Sequence, residues 1–308
     1  MGTQNGIWRG VKPNMEDYNK TYSRFKWEDG HSELKWFEDG RLNAAYETID
    51  RHAEGKLKNK IALYCENVEG AVKKYTFSEL KTLTNKFANV LRAAGVKKGD
   101  RVFIFLPRGT ELFVGLLGAV KAGAIGATIF AAFGSEAVKD RLLDSGASVL
   151  LTDSELKKRV DVIRGELPEL KSIICVGDCE SDKDVLSFDE EMKRASSKFD
   201  AEKMDPDDYS FMLYTSGTTG KPKGVVHRHL AILQQHMTAK WVLDLHEKDK
   251  FWCTADPGWV TGIAYGIFGV WSNGATKICY SGRFDPEKWY SIIEKHQVNV
   301  WYTAPTAI

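Results

Sequence analysis

Between Tyr214 and Gly224 the chain reads Tyr-Thr-Ser-Gly-Thr-Thr-Gly-Lys-Pro-Lys-Gly. Glycines at 217, 220 and 224 open backbone conformations that other residues avoid. Successive backbone N–H groups can then converge on an anion. Thr215, Ser216, Thr218 and Thr219 add hydroxyls, and Lys221 and Lys223 add positive charge. Such a loop suits a polyphosphate. A surface turn of small polar residues is the plain alternative, but eleven such residues in a row, directly after an apolar run at 209–214, argue against it. The spacing is not that of the common phosphate loop, which needs Gly, four residues, then Gly-Lys-Ser/Thr. Here Pro222 follows Lys221, and Thr215 stands five before Gly220. Pro222 also removes an N–H donor, so a phosphate site at a helix start does not fit either.

Other residues offer less. His227, His229 and His236 cluster, but no Cys, Asp or Glu completes a ligand set at zinc spacing, so no metal site is expected. Five scattered cysteines include no Cys-x-x-Cys, and reduced, mostly buried thiols are expected. Trp259, beside Gly258 and Gly262, reads either as core packing or as the wall of a small pocket. Lys157, Lys158 and Arg159 read as a solvated helix face or as a phosphate contact. No catalytic triad or acid–base dyad stands out.

A chain of 308 residues with a net charge of +1, 43% apolar and 28% charged residues can bury a sizeable core. The charge balance gives no case for nucleic acid or a membrane surface. Residues 115–134 are almost wholly apolar, with Lys121 the only charge, but Gly123 and Gly126 divide them into a short helix and a strand. Burial in a parallel sheet explains them better than a membrane span. There is no signal-peptide pattern, and a cytoplasmic location is expected.

The positioning elements follow. Residues 1–60, with Trp8, Trp27 and Trp36, read as an extended segment wrapping a globular body. Thr76-Phe-Ser-Glu79 is a capping box for a helix carrying Leu80, Leu83, Phe87, Val90 and Leu91 and stopped by Gly95. Strands are expected at 101–106, 124–130, 147–152 and 172–176, with helices at 111–122, from Ser135 to 145, and at 154–166. Residues 177–208 read as a polar, acidic excursion. A strand at 209–214, the loop and a helix at 229–242 come next. Strands at 251–253, 276–280 and 298–302 flank a helix opened by Asp285-Pro286-Glu287. This is an α/β chain of layered βαβ units with largely parallel sheets. Its expected divisions are 1–60, a first α/β unit at 61–208, and a phosphate-loop region with the start of a second unit at 209–308.

The loop sequence resembles the signature of the adenylate-forming superfamily, which includes acyl-CoA synthetases, firefly-type luciferases and peptide-synthetase adenylation domains. The resemblance implies part of the large N-terminal domain of that fold. It also implies that Thr215, Ser216, Gly217, Thr218, Thr219, Gly220 and Lys223 hold ATP phosphates, in a loop mobile without nucleotide. Trp36-Phe37, Gly40, Leu42-Asn43 and Asp50-Arg51-His52 look like the N-terminal signature of the acetyl-CoA synthetase branch. Thr254-Ala-Asp-Pro-Gly-Trp-Val-Thr-Gly262 resembles that branch's acyl-pocket segment, which would put Trp259, Val260 and Thr261 near the acyl group. Trp301-Tyr-Thr-Ala-Pro-Thr306 resembles the next family motif. Lys157, Lys158 and Arg159 correspond to the stretch that meets CoA, although they depart from its arginine pattern.

The implied reaction joins acetate, ATP and CoA through acetyl-adenylate, with Mg²⁺ and release of AMP and diphosphate. Acetic-type acids are already ionised at neutral pH, so no general base is needed, and electrostatic stabilisation carries the chemistry. The catalytic lysine, the metal-binding glutamate and the mobile C-terminal domain are expected beyond residue 308, leaving this portion inactive alone. Another short, medium or aryl acid, or a non-catalytic ATP-binding or interaction module, stays open as an alternative.

Overall fold

Short apolar runs become strands, and the amphipathic stretches between them become helices. The computed structural model describes residues 10–179, 182–216 and 220–308. Helix α1 (Tyr18–Arg24) and a 3-10 turn (Trp27–Glu33) come first, then a π-helical turn (Tyr46–Asp50) that runs into α2 (Arg51–Ala53). Strands β1 (Ile61–Glu66) and β2 (Val72–Thr76) form a hairpin before α3 (Phe77–Ala93). Alternating units follow: β3 (Arg101–Phe105), α4 (Thr110–Lys121), β4 (Ile125–Thr128), α5 (Ser135–Ser145), β5 (Val149–Asp153), α6 (Ser154–Asp161) and β6 (Ser172–Val176). After β7 (Val185–Ser187) and α7 (Phe188–Arg194), the hairpin β8 (Tyr209–Thr215) and β9 (Lys223–Arg228) leads to α8 (Ala231–Trp241). Strand β10 (Lys250–Cys253) is followed by α9 (Val260–Ile263), a π-helical turn (Ala264–Gly269) and α10 (Val270–Ser272). Strand β11 (Thr276–Tyr280), α11 (Pro286–His296), β12 (Val300–Tyr302) and a 3-10 turn (Pro305–Ala307) close the order.

The larger sheet has seven strands in the order β7-β6-β5-β3-β4-β8-β9, parallel except for the β8–β9 pair. The smaller has five, β12-β10-β11-β1-β2, parallel except for β1–β2. Largely parallel α/β layering is thus what the alternation implied. Sheet membership, however, crosses the expected division at 208/209. Phe211, Met212 and Leu213 of β8 are all buried, so this strand needs cover on both faces, and it finds that beside β4 in the larger sheet. The smaller sheet instead joins residues 61–76 to strands after residue 249.

Local chemistry explains most boundaries. Thr76 accepts from the Glu79 N–H while Glu79 accepts from the Thr76 N–H, the expected capping box. Asp285 accepts from Lys288 N, with Pro286 in the first turn. Elsewhere the expectations shift. Gly134 occupies the cap of α5, and Ser135 is already helical. Helix α6 ends at Asp161, and a separate 3-10 turn covers Arg164–Glu166. The acidic excursion at 177–208 contains β7 and α7, the latter capped by Ser187. Residues 10–60 hold helical turns rather than a purely extended wrap. Gly177, at φ +78°, turns the chain after β6, and Cys175 is joined to Cys179 as a disulfide where free thiols were expected. Among the described residues, no helix is long and apolar enough to cross a membrane.

The segment before β1 is fastened at its centre. Lys121, at the end of α4, is wholly buried, and its ammonium contacts Asp50 at 2.8 Å, Thr84 Oγ1 at 2.7 Å and Asn85 Oδ1 at 2.8 Å. Asn43 Nδ2 donates to the carbonyls of Val120 at 3.1 Å and Glu202 at 2.9 Å. Replacing Lys121 by Met strands a buried carboxylate, so Lys121→Met should lower unfolding free energy by about 3–5 kcal/mol. Adding Asp50→Asn should recover a substantial part. Urea titration checks both, and equal midpoints for Lys121→Met and wild type would contradict the assignment.

Candidate active site

The loop that sequence chemistry singled out is the turn of the β8–β9 hairpin. Thr215 and Lys223 are register partners at its base. Because β8 runs parallel to β4, the loop leaves the larger sheet at its carboxyl edge, where open α/β sheets bind ligands. Thr215, Ser216, Gly220 and Lys223 are all exposed there, and Gly220 takes φ +87°, a conformation that side chains resist. Gly217, Thr218 and Thr219, with the expected mobility of this stretch, lie outside the described residues. A Cβ on Gly224 would press the Met212 side chain at 3.0 Å and the Tyr214 ring at 3.3 Å, so a side chain here would crowd the hairpin base. The Tyr214 hydroxyl donates to Asp144 at 2.7 Å. Burial and then that carboxylate push the phenol well above its ordinary range. The Arg141 guanidinium stacks between, 4.3 Å from the Phe133 ring centre and 5.6 Å from that of Tyr214. Helix α5 thereby holds the hairpin from below.

The segment 254–262 lies against the same edge. The Thr128 hydroxyl, at the end of β4, donates to the Pro257 carbonyl at 2.5 Å. The Asp256 carboxylate accepts the Gly258 N–H at 2.8 Å, and its carbonyl accepts the Trp259 N–H at 2.9 Å. Burial pushes the Asp256 carboxyl up. A Cβ on Gly258 would press the Phe130 backbone at 3.0 Å, and one on Gly262 would collide with the Asp256 carbonyl. This tight turn delivers Trp259 to the cap of α9. Trp259 is 56% exposed and Val260 50%, so neither is core packing, while Thr261 is half-buried. The described loop residues thus follow β8, and the turn that precedes Trp259, which itself follows β10, packs on the carboxyl end of the adjacent strand β4.

Sequence reasoning missed Arg108, just after β3. Its guanidinium donates to the Thr254 carbonyl at 3.0 Å and to the Gly282 carbonyl at 2.9 Å. It therefore ties the carboxyl end of the larger sheet to the ends of β10 and β11. A cleft of about 250 Å³ opens beside it, lined among others by Cys65, Glu66, Pro107, Thr110 and Ser281. An arginine after a proline looks like an ordinary loop charge, and partners 146 and 174 residues away leave no local signal.

The AMP-binding enzyme family model matches residues 49–308. The chain belongs to this family. It is similar to the acetyl-coenzyme A synthetase of Bacillus subtilis, with 52% identity over 96% of this chain and 51% of that protein. Similarity to the acetyl-coenzyme A synthetase of Magnetococcus marinus is 40%, over 91% of this chain and 46% of that one. Among solved structures, an acyl-CoA synthetase of Brucella canis superposes with a TM-score of 0.87 at 29% identity, covering 94% of this chain and 52% of that one. The chain spans about half the length of the curated relatives it matches.

The remaining candidates have separate partners. Lys157 pairs with Asp161 at 2.8 Å and Lys158 with Glu155 at 2.6 Å. Arg159 donates to the carbonyls of Ala131 and Phe133, both at 2.9 Å. The three cations do not converge. His227 stacks on Phe211 with ring centres 4.4 Å apart. His236 Nδ1 lies 3.2 Å from the Ser272 hydroxyl, and Nε2 faces Glu33 at 3.6 Å. Among the described residues, no group of three or more His, Cys, Asp or Glu could hold a metal.

His229 is buried, and its Nδ1 accepts the Ala44 N–H at 3.0 Å, which requires that nitrogen to be unprotonated. Burial pulls its pKa from 6.5 to about 3. The unfolded chain therefore takes up a proton that the folded chain refuses. The contribution is complete above pH ~6.5 and is lost as pH falls toward ~3. Replacing His229 with Gln should cost stability at pH 7.5, and the gap from wild type should narrow steadily in denaturant titrations at pH 6, 5 and 4. A pH-independent gap would contradict this role.

Proposed function

We propose that this chain is the nucleotide- and acid-binding portion of an AMP-forming acyl-CoA synthetase that activates acetate. The 52% identity to an acetyl-coenzyme A synthetase carries the reading. The convergence of the two candidate segments on one sheet edge supports it. In this reading Thr215, Ser216, Gly217, Thr218, Thr219, Gly220 and Lys223 hold the ATP phosphates. Trp259, Val260 and Thr261 border the acyl group. The acid arrives ionised and attacks the α-phosphorus, and CoA thiol then displaces AMP. The chain's contribution is to orient two anions and to offset their charge through Lys223 and the loop N–H groups. Mg²⁺ would accompany the triphosphate and offset its charge, and no step is assigned to it. For CoA the reading narrows to Lys158, whose side chain is 70% exposed and can exchange Glu155 for a phosphate. Lys157 and Arg159 would then support that helix and the 131–133 turn. The compartment proposed is the cytoplasm.

Pyrophosphate release by the full-length protein with ATP, Mg²⁺ and a panel of acids tests the reading. Acetate should exceed propionate by about tenfold in kcat/KM, the scale of one methylene, and longer acids should fall further. Trp259→Ala should narrow or reverse that order. No turnover with any acid would sink the proposal, whereas preference for a longer or aryl acid would sink only the choice of acetate.

Lys223→Ala should raise KM for ATP several-fold or more, with little change in KM for acetate, because a charge-assisted contact to phosphate is lost. An unchanged KM for ATP would remove Lys223 from the phosphate site.

A further inference from the structure

Cys65, Cys253 and Cys279 are far apart in sequence but fall on adjacent strands. Cys65 and Cys279 are register partners on β1 and β11. The β10–β11 register, which pairs Phe251 with Lys277, continues two residues on to set Cys253 opposite Cys279. All three therefore point to one face, in a row at the carboxyl end of the smaller sheet. Lys277 is buried on that face, two residues before Cys279; its ammonium donates to the Gly266 carbonyl and lies 4.8 Å from the Phe113 ring centre.

We propose that Cys65 and Cys279 form an oxidisable dithiol, converted to a cross-strand disulfide by a peroxide that enters through the cleft beside Arg108. Neighbouring strands lie about 4.7–4.9 Å apart, within the roughly 4.4–6.8 Å that a disulfide spans between Cα atoms. The two residues sit directly opposite one another in the β1–β11 pair. Cys65 lines the cleft and is half-buried, whereas Cys279 and Cys253 are buried. The cleft therefore gives the oxidant a route to Cys65, one strand from Cys279. Cys253 is turned elsewhere, with its sulfur 3.9 Å from the Thr261 carbonyl. The Cys65 neighbour and then Lys277 pull the Cys279 thiol toward its anionic form, the form that reacts, while Cys279 and then burial push the Cys65 thiol up.

The steps balance. A thiolate of the pair attacks one peroxide oxygen, forming S–O as O–O breaks, and the departing hydroxide takes a proton to become water. The second thiol attacks the resulting sulfenic sulfur, S–S forms as S–O breaks, and the leaving hydroxide takes that thiol's proton as a second water. Two thiols and one hydrogen peroxide give one disulfide and two waters, with the sulfurs losing two electrons.

Hydrogen peroxide treatment of the full-length protein, followed by alkylation and peptide mapping by mass spectrometry, tests this. The expected result is a Cys65–Cys279 linked peptide lighter by two hydrogens, reversible by dithiothreitol, with Cys253 still alkylated. Cys253→Ser should give the same link. Cys65→Ser should stop at a sulfenic acid on Cys279, trapped by dimedone. A Cys253–Cys279 link, oxygen addition without any link, or full alkylation of all three would each overturn the proposal. The wild-type map alone decides the matter if a variant fails to fold.

Discussion

A single buried ammonium organises much of this chain. Lys121 ends α4 wholly buried, and a charge in that position is tolerable only where oxygens surround it. Those oxygens come from three places: Asp50 before β1, and Thr84 and Asn85 on α3. Satisfying one charge thus fixes the N-terminal segment, α3 and α4 against each other. Four residues later the chain enters β4. That strand is the neighbour of β8 and carries Thr128, which seats the 254–262 segment. The position of both candidate segments is set by the strand that this charge delivers.

Much of the alternation was legible because it is written in local terms. Thr76 with Glu79, and Asp285 before Pro286, state their helix starts in four residues. The runs at 101–105 and 172–176 are buried strands flanked by amphipathic helices, and both formed near their expected bounds. What stayed hidden was pairing. Nothing near residue 61 says that β1 will lie beside β11, more than two hundred residues on. The same blindness made Cys65, Cys253 and Cys279 look scattered, although the sheet draws them into one row. Strand β9 was missed for a different reason: its residues are mostly exposed, so it lacks the apolar alternation by which a strand is read.

The candidate site was legible in parts and not as a whole. Residue type and glycine spacing identified the loop, and the turn chemistry of 254–262 was present in Asp256, Gly258 and Gly262. Their adjacency was not, because it depends on β4 and β8 sharing an edge. Lys157, Lys158 and Arg159 show the opposite failure. Adjacent in sequence, they diverge in space, because successive residues on a helix point about 100° apart and each finds its own partner.

Arg108 completes the argument from pairing. Two parallel sheets each have a carboxyl edge, but nothing in a parallel sheet makes two such edges face one another. A guanidinium can do so because its planar fork offers several donors at once. Here two of those donors end on carbonyls from the loops after β10 and β11, while the residue itself follows β3. The cleft beside it is therefore bounded by both sheets, and Cys65 reaches it from the smaller one. A lysine would supply the charge without the fork, so it could not hold both loops in the same geometry. The chemistry of the edge rests on exposed loop residues, but their common location rests on Lys121 below β4 and Arg108 beyond β3, two cations spent almost wholly on holding the chain to itself.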